Sequence, residues 1–192
     1  MSASPRIAPL EPPYDPEVEA SLAKWMPPGV ELDPLRLFRT FVVHEELASR
    51  MRAVGAGILG RSATVPPVLR EIVIHRTSAL TGAEYEWGVH AAAFGKPLGL
   101  SEEQLHSTVH GGWTDPCWEP DQAAVFRLSD ELHESSTLSD ELWANLVERF
   151  EARQILELIV TAGWYHVIGY LCNGARIELE EWAPRFPPPQ LL

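Results

Sequence analysis

Residues 66–95 read PPVLREIVIHRTSALTGAEYEWGVHAAAFG, and the fold turns on how this stretch is interpreted. Its first half is rich in β-branched residues (Val68, Ile72, Val73, Ile74) and on that ground alone could be a strand. It runs on without a break through Ala79 and Leu80, which predicts a buried helix instead. Pro66-Pro67 starts that helix and Gly82 closes it. A second helix is expected over Ala83–Phe94, closed by Gly95. Two consecutive helices joined by a tight glycine turn lie antiparallel.

Helix signals recur outward from this pair. Asp15-Pro16-Glu17 offers an N-cap, a first-turn proline and an acid for a short helix that should stop at Pro27-Pro28. Asp33-Pro34 repeats the start ahead of Leu35, Leu37, Phe38, Phe41 and Val42. Leu47, Met51, Val54 and Ile58 mark a further helix ending near Gly60. Ser101-Glu102-Glu103-Gln104 is a capping box. A loop with Gly111, Gly112, Trp113, Pro116 and Trp118 precedes three helices expected over Pro120–Glu134, Ser139–Arg149 and Ala152–Asn173. The tryptophans of that loop suit a pocket wall or an interface.

The prolines sharpen the organisation. Of 17, eight lie between Pro5 and Pro34 and four between Pro184 and Pro189, which leaves the middle free to be helical. Residues 1–34 therefore read as a proline-rich arm with a short helix, 35–183 as one all-α domain, and 184–192 as a proline-rich tail. Proline lowers the entropy lost on ordering, so both ends are expected to lie extended across a neighbouring subunit.

A net charge of −12, with no Lys/Arg cluster, opposes nucleic-acid binding. The first residues lack the apolar core of a secretory leader, and no stretch approaches the apolar length of a membrane span. Cys117 and Cys172 form neither a C-x-x-C motif nor a disulfide framework. A cytoplasmic protein with reduced thiols is expected.

The chemistry-bearing residues concentrate in Glu71–His90. Glu71/His75 and Glu86/His90 are each four apart and share a helix face. A carboxylate beside an imidazole among apolar residues is a proton relay in kind: the acid fixes the tautomer, the ring moves the proton. Tyr85 and Trp87 could add a phenolic donor and a flat wall. Two Glu and two His on facing helices could also chelate a metal, but di-iron bundles use Glu-x-x-His, and the spacing here is one residue longer. No metal or cofactor is expected. His166 on the last long helix is either a satisfied core residue or part of a pocket shared with these groups.

Leu69–Ile74 followed by Thr81–His90 resembles the signature of the carboxymuconolactone decarboxylase family, which also contains the alkylhydroperoxidase D (AhpD) proteins. Gly99–Gln104, Asp130–Leu132, Leu138–Asp140 with Trp143, and Leu156–His166 resemble its later segments, so the resemblance spans residues 35–180. It implies an AhpD-like helical fold of eight or nine helices, assembled as a homo-oligomer (dimer, trimer or hexamer), with the site near subunit contacts. In the peroxidase branch a glutamate, a C-x-x-C pair and a histidine carry the chemistry. Carried over, the glutamate falls on Glu71, the histidine on His90, and the two cysteines on Ala83 and Glu86. Both sulfurs are missing, and thiol peroxidation needs them. The decarboxylase branch needs no sulfur. There Glu71, Glu86 and His90 suit the catalytic roles, with Tyr85, Trp87, His75 and His166 toward the substrate. Arg76 is a candidate for a substrate carboxylate, or else an ion-pair residue.

Three readings stay open. The first is a small-molecule enzyme with a Glu/His relay, decarboxylase- or isomerase-like. The second is a peroxidase-related oxidoreductase. The third is a non-catalytic oligomeric ligand-binding protein.

Overall fold

Pro67 occupies the first turn of a 14-residue helix whose residues Leu69–His75 are all buried, and the rest of the chain is wrapped around it. The computed structural model describes residues 4–26 and 33–189. The helices among them are α1 (Pro16–Ala23), α2 (Arg36–Phe41), α3 (Glu45–Leu59), α4 (Pro67–Leu80), α5 (Glu84–His90), α6 (Glu102–His110), α7 (Pro120–Ser135), α8 (Asp140–Arg149) and α9 (Ala152–Ala175). A 3-10 turn, Val42–His44, joins α2 to α3. No strand occurs among the described residues, and the fold is all-α.

The central helix α4 packs against α5, α6, α7 and α9. That position explains its β-branched composition, because a helix buried on every side has no polar face to display. It contributes to two apolar clusters. Ile72 and Val73 join Phe126, Leu128, Leu146 and Leu158 on one side. Ile74 joins Tyr85, Val89, Tyr165, Leu22 and Phe41 on the other. Gly82 ends α4 with φ +68, in the left-handed region where a Cβ is penalised. Trp118 is buried in the first cluster, whereas Trp113 covers the Arg127 guanidinium.

Two boundaries and one expectation about apolar length depart from the sequence reading. Helix α2 starts at Arg36, not at Asp33-Pro34, because the Arg36 amide donates to Glu180 Oε1 at 2.7 Å, a tertiary anchor that overrides the local cap signal. The helix expected over Ala83–Phe94 is α-helical only through His90; Ala91–Gly95 form a π-helical turn. Such turns recur at functional sites. By length and composition α9 is apolar enough to cross a membrane, contrary to the expectation that no stretch approaches that length. Its Leu158, Ala162, Tyr165 and Cys172 are buried in the protein, as in a core helix. The expected stop of α1 at Pro27-Pro28 lies outside the described residues.

Both proline-rich ends, expected across a neighbouring subunit, make contacts with their own chain. Arg6 donates from its amide to the Ala175 carbonyl at 2.8 Å and from its guanidinium to the Gly174 carbonyl, which satisfies free acceptors at the end of α9. Arg39 holds Glu11 at 2.6 Å. At the other end, Phe186 donates its amide to Glu84 and packs on Trp87. His110 and His106 donate to the Pro187 and Pro188 carbonyls. The strap so formed crosses α5 at Gly88, where a Cβ would collide with the Pro184 carbonyl oxygen.

Gly88→Ala is therefore expected to cost about 1–3 kcal/mol in urea unfolding and to expose the strap to proteolysis. Gly57→Ala, in an open position of α3, is expected to be neutral or to stabilise by about 0.5–1 kcal/mol. Equal effects of the two changes would contradict the strap contact.

Candidate active site: a buried carboxylate–histidine relay

The turn at Gly82 brings α5 back along α4, so Glu71 meets the second helix's histidine rather than its own. His90 Nδ1 lies 2.8 Å from Glu71 Oε2. On the opposite edge of the ring, His90 Nε2 lies 3.3 Å from Glu86 Oε1. Tyr165, from α9, places its hydroxyl 3.2 Å from the same Nε2, with its ring edge-on to the imidazole. Phe94, on the π-helical turn, covers the imidazole at 5.0 Å between centroids.

Water is nearly excluded. Glu71 is 0% exposed, His90 4% and Glu86 6%. Neither of the two surface cavities described is lined by these residues. Glu71 Oε1 and Glu86 Oε2 are buried without a partner, so each carboxylate keeps an oxygen free to accept a proton.

Burial alone would lower the His90 pKa. The Glu71 charge and hydrogen bond, followed by those of Glu86, overcome it and hold the ring protonated up to about 10. His75 goes the other way. Burial pushes it down to about 4, against the pull of the Glu71 charge and with the His90 charge adding to the effect. It donates Nδ1–H to the Glu71 carbonyl oxygen at 2.6 Å, while the Glu71 carboxylate stays at 3.8 Å. His75 thus stands neutral behind the relay, edge-on to Trp87. The two carboxylates on His90 occupy opposite edges of one ring. They do not converge as metal ligands would, and no group of three or more His, Cys, Asp or Glu among the described residues does.

The other residues singled out from sequence fall elsewhere. Tyr85 accepts from the Leu37 amide and donates to Glu180 Oε1 at 2.7 Å, so it ties α5 to the C-terminal segment. Trp87 is buried with its indole donating to Thr108. Arg76 is committed to Asp130 at 2.6 Å and to the Thr108 carbonyl, the ion-pair role rather than substrate contact. His166 bonds to His133 of α7 at 2.9 Å and to the Ala162 carbonyl, with no bond to the relay. The residue the sequence reading missed is its neighbour Tyr165. The buried face of α9 runs Leu158, Ala162, Tyr165, Gly169, Cys172 at helical spacing, and that register selects Tyr165 over His166.

Neither thiol is activated. Burial and then the Glu86 charge push Cys172 well above its usual range. Burial raises Cys117, with only partial relief from Ser107.

Residues 45–128 match the family model of the carboxymuconolactone decarboxylase family. No curated protein matches the sequence. Among solved structures, the debrominase Bmp8 in complex with 2,3,4-tribromopyrrole superposes with TM-score 0.77 at 12% identity, over 95% of each chain. A peroxidase-related protein from Silicibacter sp. TM1040 gives 0.74 at 16% identity, over 96% of this chain and 99% of that one. An Agrobacterium tumefaciens protein of unknown function, with a proposed AhpD antioxidant-defence role, gives 0.62 at 16% identity, over 69% and 89%. The AhpD-like helical fold is thereby shared.

The two histidines give opposite pH dependences. His90, raised above the unfolded value of about 6.5, binds more protons folded than unfolded, so stability falls as pH rises from 6.5 to about 10. His75, lowered, binds fewer, so stability falls as pH drops from 6.5 to about 4. Urea unfolding across pH 4–10 should lose up to about 1.4 kcal/mol per pH unit from each group. His90→Gln is expected to flatten the alkaline limb and His75→Asn the acid limb. An alkaline limb unchanged by His90→Gln would count against the relay's charge state.

Proposed function

Starting from a carboxymuconolactone decarboxylase-type core in an AhpD-like fold, we propose a small-molecule enzyme in which His90 transfers a proton to carbon, decarboxylase- or isomerase-like. The observation that carries this reading is the imidazole held between Glu71 at 2.8 Å and Glu86 at 3.3 Å in a nearly dry site.

In the decarboxylase form, the C–C bond to the leaving carboxylate breaks, CO2 departs, and its electron pair remains on carbon as an enolate-like anion. The His90 imidazolium gives its Nε2 proton to that carbon. Glu71 keeps the ring oriented and balances its charge. Glu86, nearer the surface, returns a proton from water to the ring. In the isomerase form, the Glu86 carboxylate takes a proton from one carbon, the His90 imidazolium gives its Nε2 proton to another, and Glu86 then passes its proton to the ring. Tyr165 is a hydroxyl donor for the developing oxyanion, as valuable as any donor placed in a low-dielectric site. Phe94 is the half-buried side chain that must move to admit a substrate. The debrominase neighbour, bound to a small brominated heteroaromatic, supports small-molecule chemistry on this fold.

The peroxidase-related reading is supported by the fold shared with the peroxidase-related Silicibacter protein. It is opposed by Ala83 and Glu86 at the paired-cysteine positions and by two thiols held protonated. The near-complete closure of the relay favours the non-catalytic reading. Self-association is supported by apolar side chains left on the outside of α9, where Leu156 and Tyr170 are 63% and 66% exposed.

A panel of β-keto and vinylogous carboxylic acids incubated in D2O separates the readings. The wild type is expected to place deuterium on carbon, and His90→Gln to slow this by about 10²–10⁴-fold. The Cys117→Ser/Cys172→Ser double variant should retain the activity. Peroxide consumption lost in that double variant would support the thiol reading, and no deuterium incorporation across the panel the non-catalytic one. In sedimentation the wild type should exceed 21.4 kDa, and Leu156→Asp with Tyr170→Asp should return the monomer.

A further inference from the structure

Arg70 precedes the relay's first carboxylate in α4 and is only 7% exposed. Its Nη1 donates to the Ile58 carbonyl oxygen, 3.1 Å away in the last turn of α3. Its Nε is buried and has no acceptor. Among the described residues no carboxylate forms an ion pair with it. The contrast with the other inward-facing arginines is sharp: Arg36 pairs with Glu180, Arg76 with Asp130 and Arg127 with Glu131. Arg39 also leaves its Nε unpartnered, but Glu11 neutralises it at 2.6 Å.

A buried guanidinium without a counter-charge is costly. The end of α3 offers only the partial negative charge of a helix C-terminus. What remains free on Arg70 is the edge made by Nε and Nη2. On a guanidinium, two parallel N–H groups like these match the two oxygens of a carboxylate.

The position is as telling as the missing partner. Arg70 adjoins Glu71, and Ile74, one turn further along the same side of α4, packs in the cluster that holds Tyr165. The Arg70 charge reaches the Tyr165 hydroxyl, easing a pKa that burial and then the Glu86 and Glu71 charges raise. That hydroxyl is 3.2 Å from His90 Nε2. The Tyr165 hydroxyl and the His90 imidazole thus stand together within reach of the Arg70 charge.

We propose that Arg70 anchors a carboxylate of the substrate through its Nε–Nη2 edge and so sets the reacting carbon beside Tyr165 and His90, an inference that rests on the relay reading above. The ligand class is a small organic monoanion or the carboxylate end of a larger one. A carboxylate locked in a two-point ion pair is stabilised against departure as CO2, because binding that favours the ground state as much as the transition state does not speed its loss. The anchored group is therefore a spectator that orients the substrate. Arg70 is a positioning residue.

The test needs binding alone. Benzoate and its neutral isostere benzamide are titrated into the 15N-labelled full-length chain, and the arginine Nε–H signals are followed, Arg70 being assigned by its loss in Arg70→Lys. Benzoate is expected to shift the Arg70 signal and to bind at least tenfold tighter than benzamide. Arg70→Gln should weaken benzoate at least tenfold and leave benzamide unchanged, while Arg70→Lys, charged but without the fork, should fall between. The amide spectrum of each variant reports folding, and the lysine variant answers the question if the glutamine variant does not fold. Equal binding of benzoate and benzamide, no benzoate binding, or benzoate affinity unchanged in Arg70→Gln or Arg70→Lys would overturn the proposal. His90→Gln should retain benzoate binding, so a relay that proves catalytically silent leaves this result readable, and a failed anchor leaves the relay standing.

Discussion

Glu71 and His90 lie 2.8 Å apart where almost no water reaches, one on each of two helices joined by a glycine turn. Removing one partner from a buried ion pair costs about 3–5 kcal/mol, so the surroundings must keep the two groups together. They do so from three sides. Helix α4 fixes Glu71 by burial on every face. Helix α9 contributes Tyr165 against the ring edge. The C-terminal strap braces α5 from behind at Gly88, with Phe186 on Trp87. The relay is thus the product of packing between three helices, not of any one helix's periodicity.

The same arrangement separates two histidines 6.3 Å apart between ring centroids into opposite charge states. His90 has a carboxylate on each edge and stays protonated. His75 has only a backbone carbonyl for its proton and stays neutral. A like charge nearby disfavours a second protonation, so the His90 charge helps to keep His75 neutral. Environments that push neighbouring titratable groups apart in this way are a recurring basis for acid–base assignment.

Much of the fold was legible from local chemistry. Pro67 and Gly82 bounded α4, and both bonds of the Ser101/Gln104 capping box are present. The identity of the central groups Glu71, Glu86 and His90 could also be read from their spacing. So could the Glu86/His90 pair, present at 3.3 Å; the pairing of Glu71 with His90 could not. A period of 3.6 residues places Glu71 with His75, which does lie 3.8 Å from its carboxylate, but α5 folded back along α4 brings His90 closer, to 2.8 Å. Tyr165 was hidden beside the more conspicuous His166, and only the register of the whole α9 face distinguishes them. The start of α2 at Arg36 and the N-terminal arm at Arg6 depend on partners more than a hundred residues away, Glu180 and the end of α9, which no local signal reports. The π-helical turn after His90 likewise leaves no mark in a run of alanines.

Everything proposed for the chemistry depends on His90 being an imidazolium between two carboxylates at neutral pH. The direct measurement is 15N NMR of the histidine rings in the full-length protein as a function of pH. The account predicts that both His90 nitrogens carry protons at pH 7.5, that the ring titrates near 10, and that Glu71→Gln moves this midpoint sharply downward. A His90 ring that is neutral at pH 7.5, titrating at or below about 6.5 and indifferent to Glu71→Gln, would contradict it.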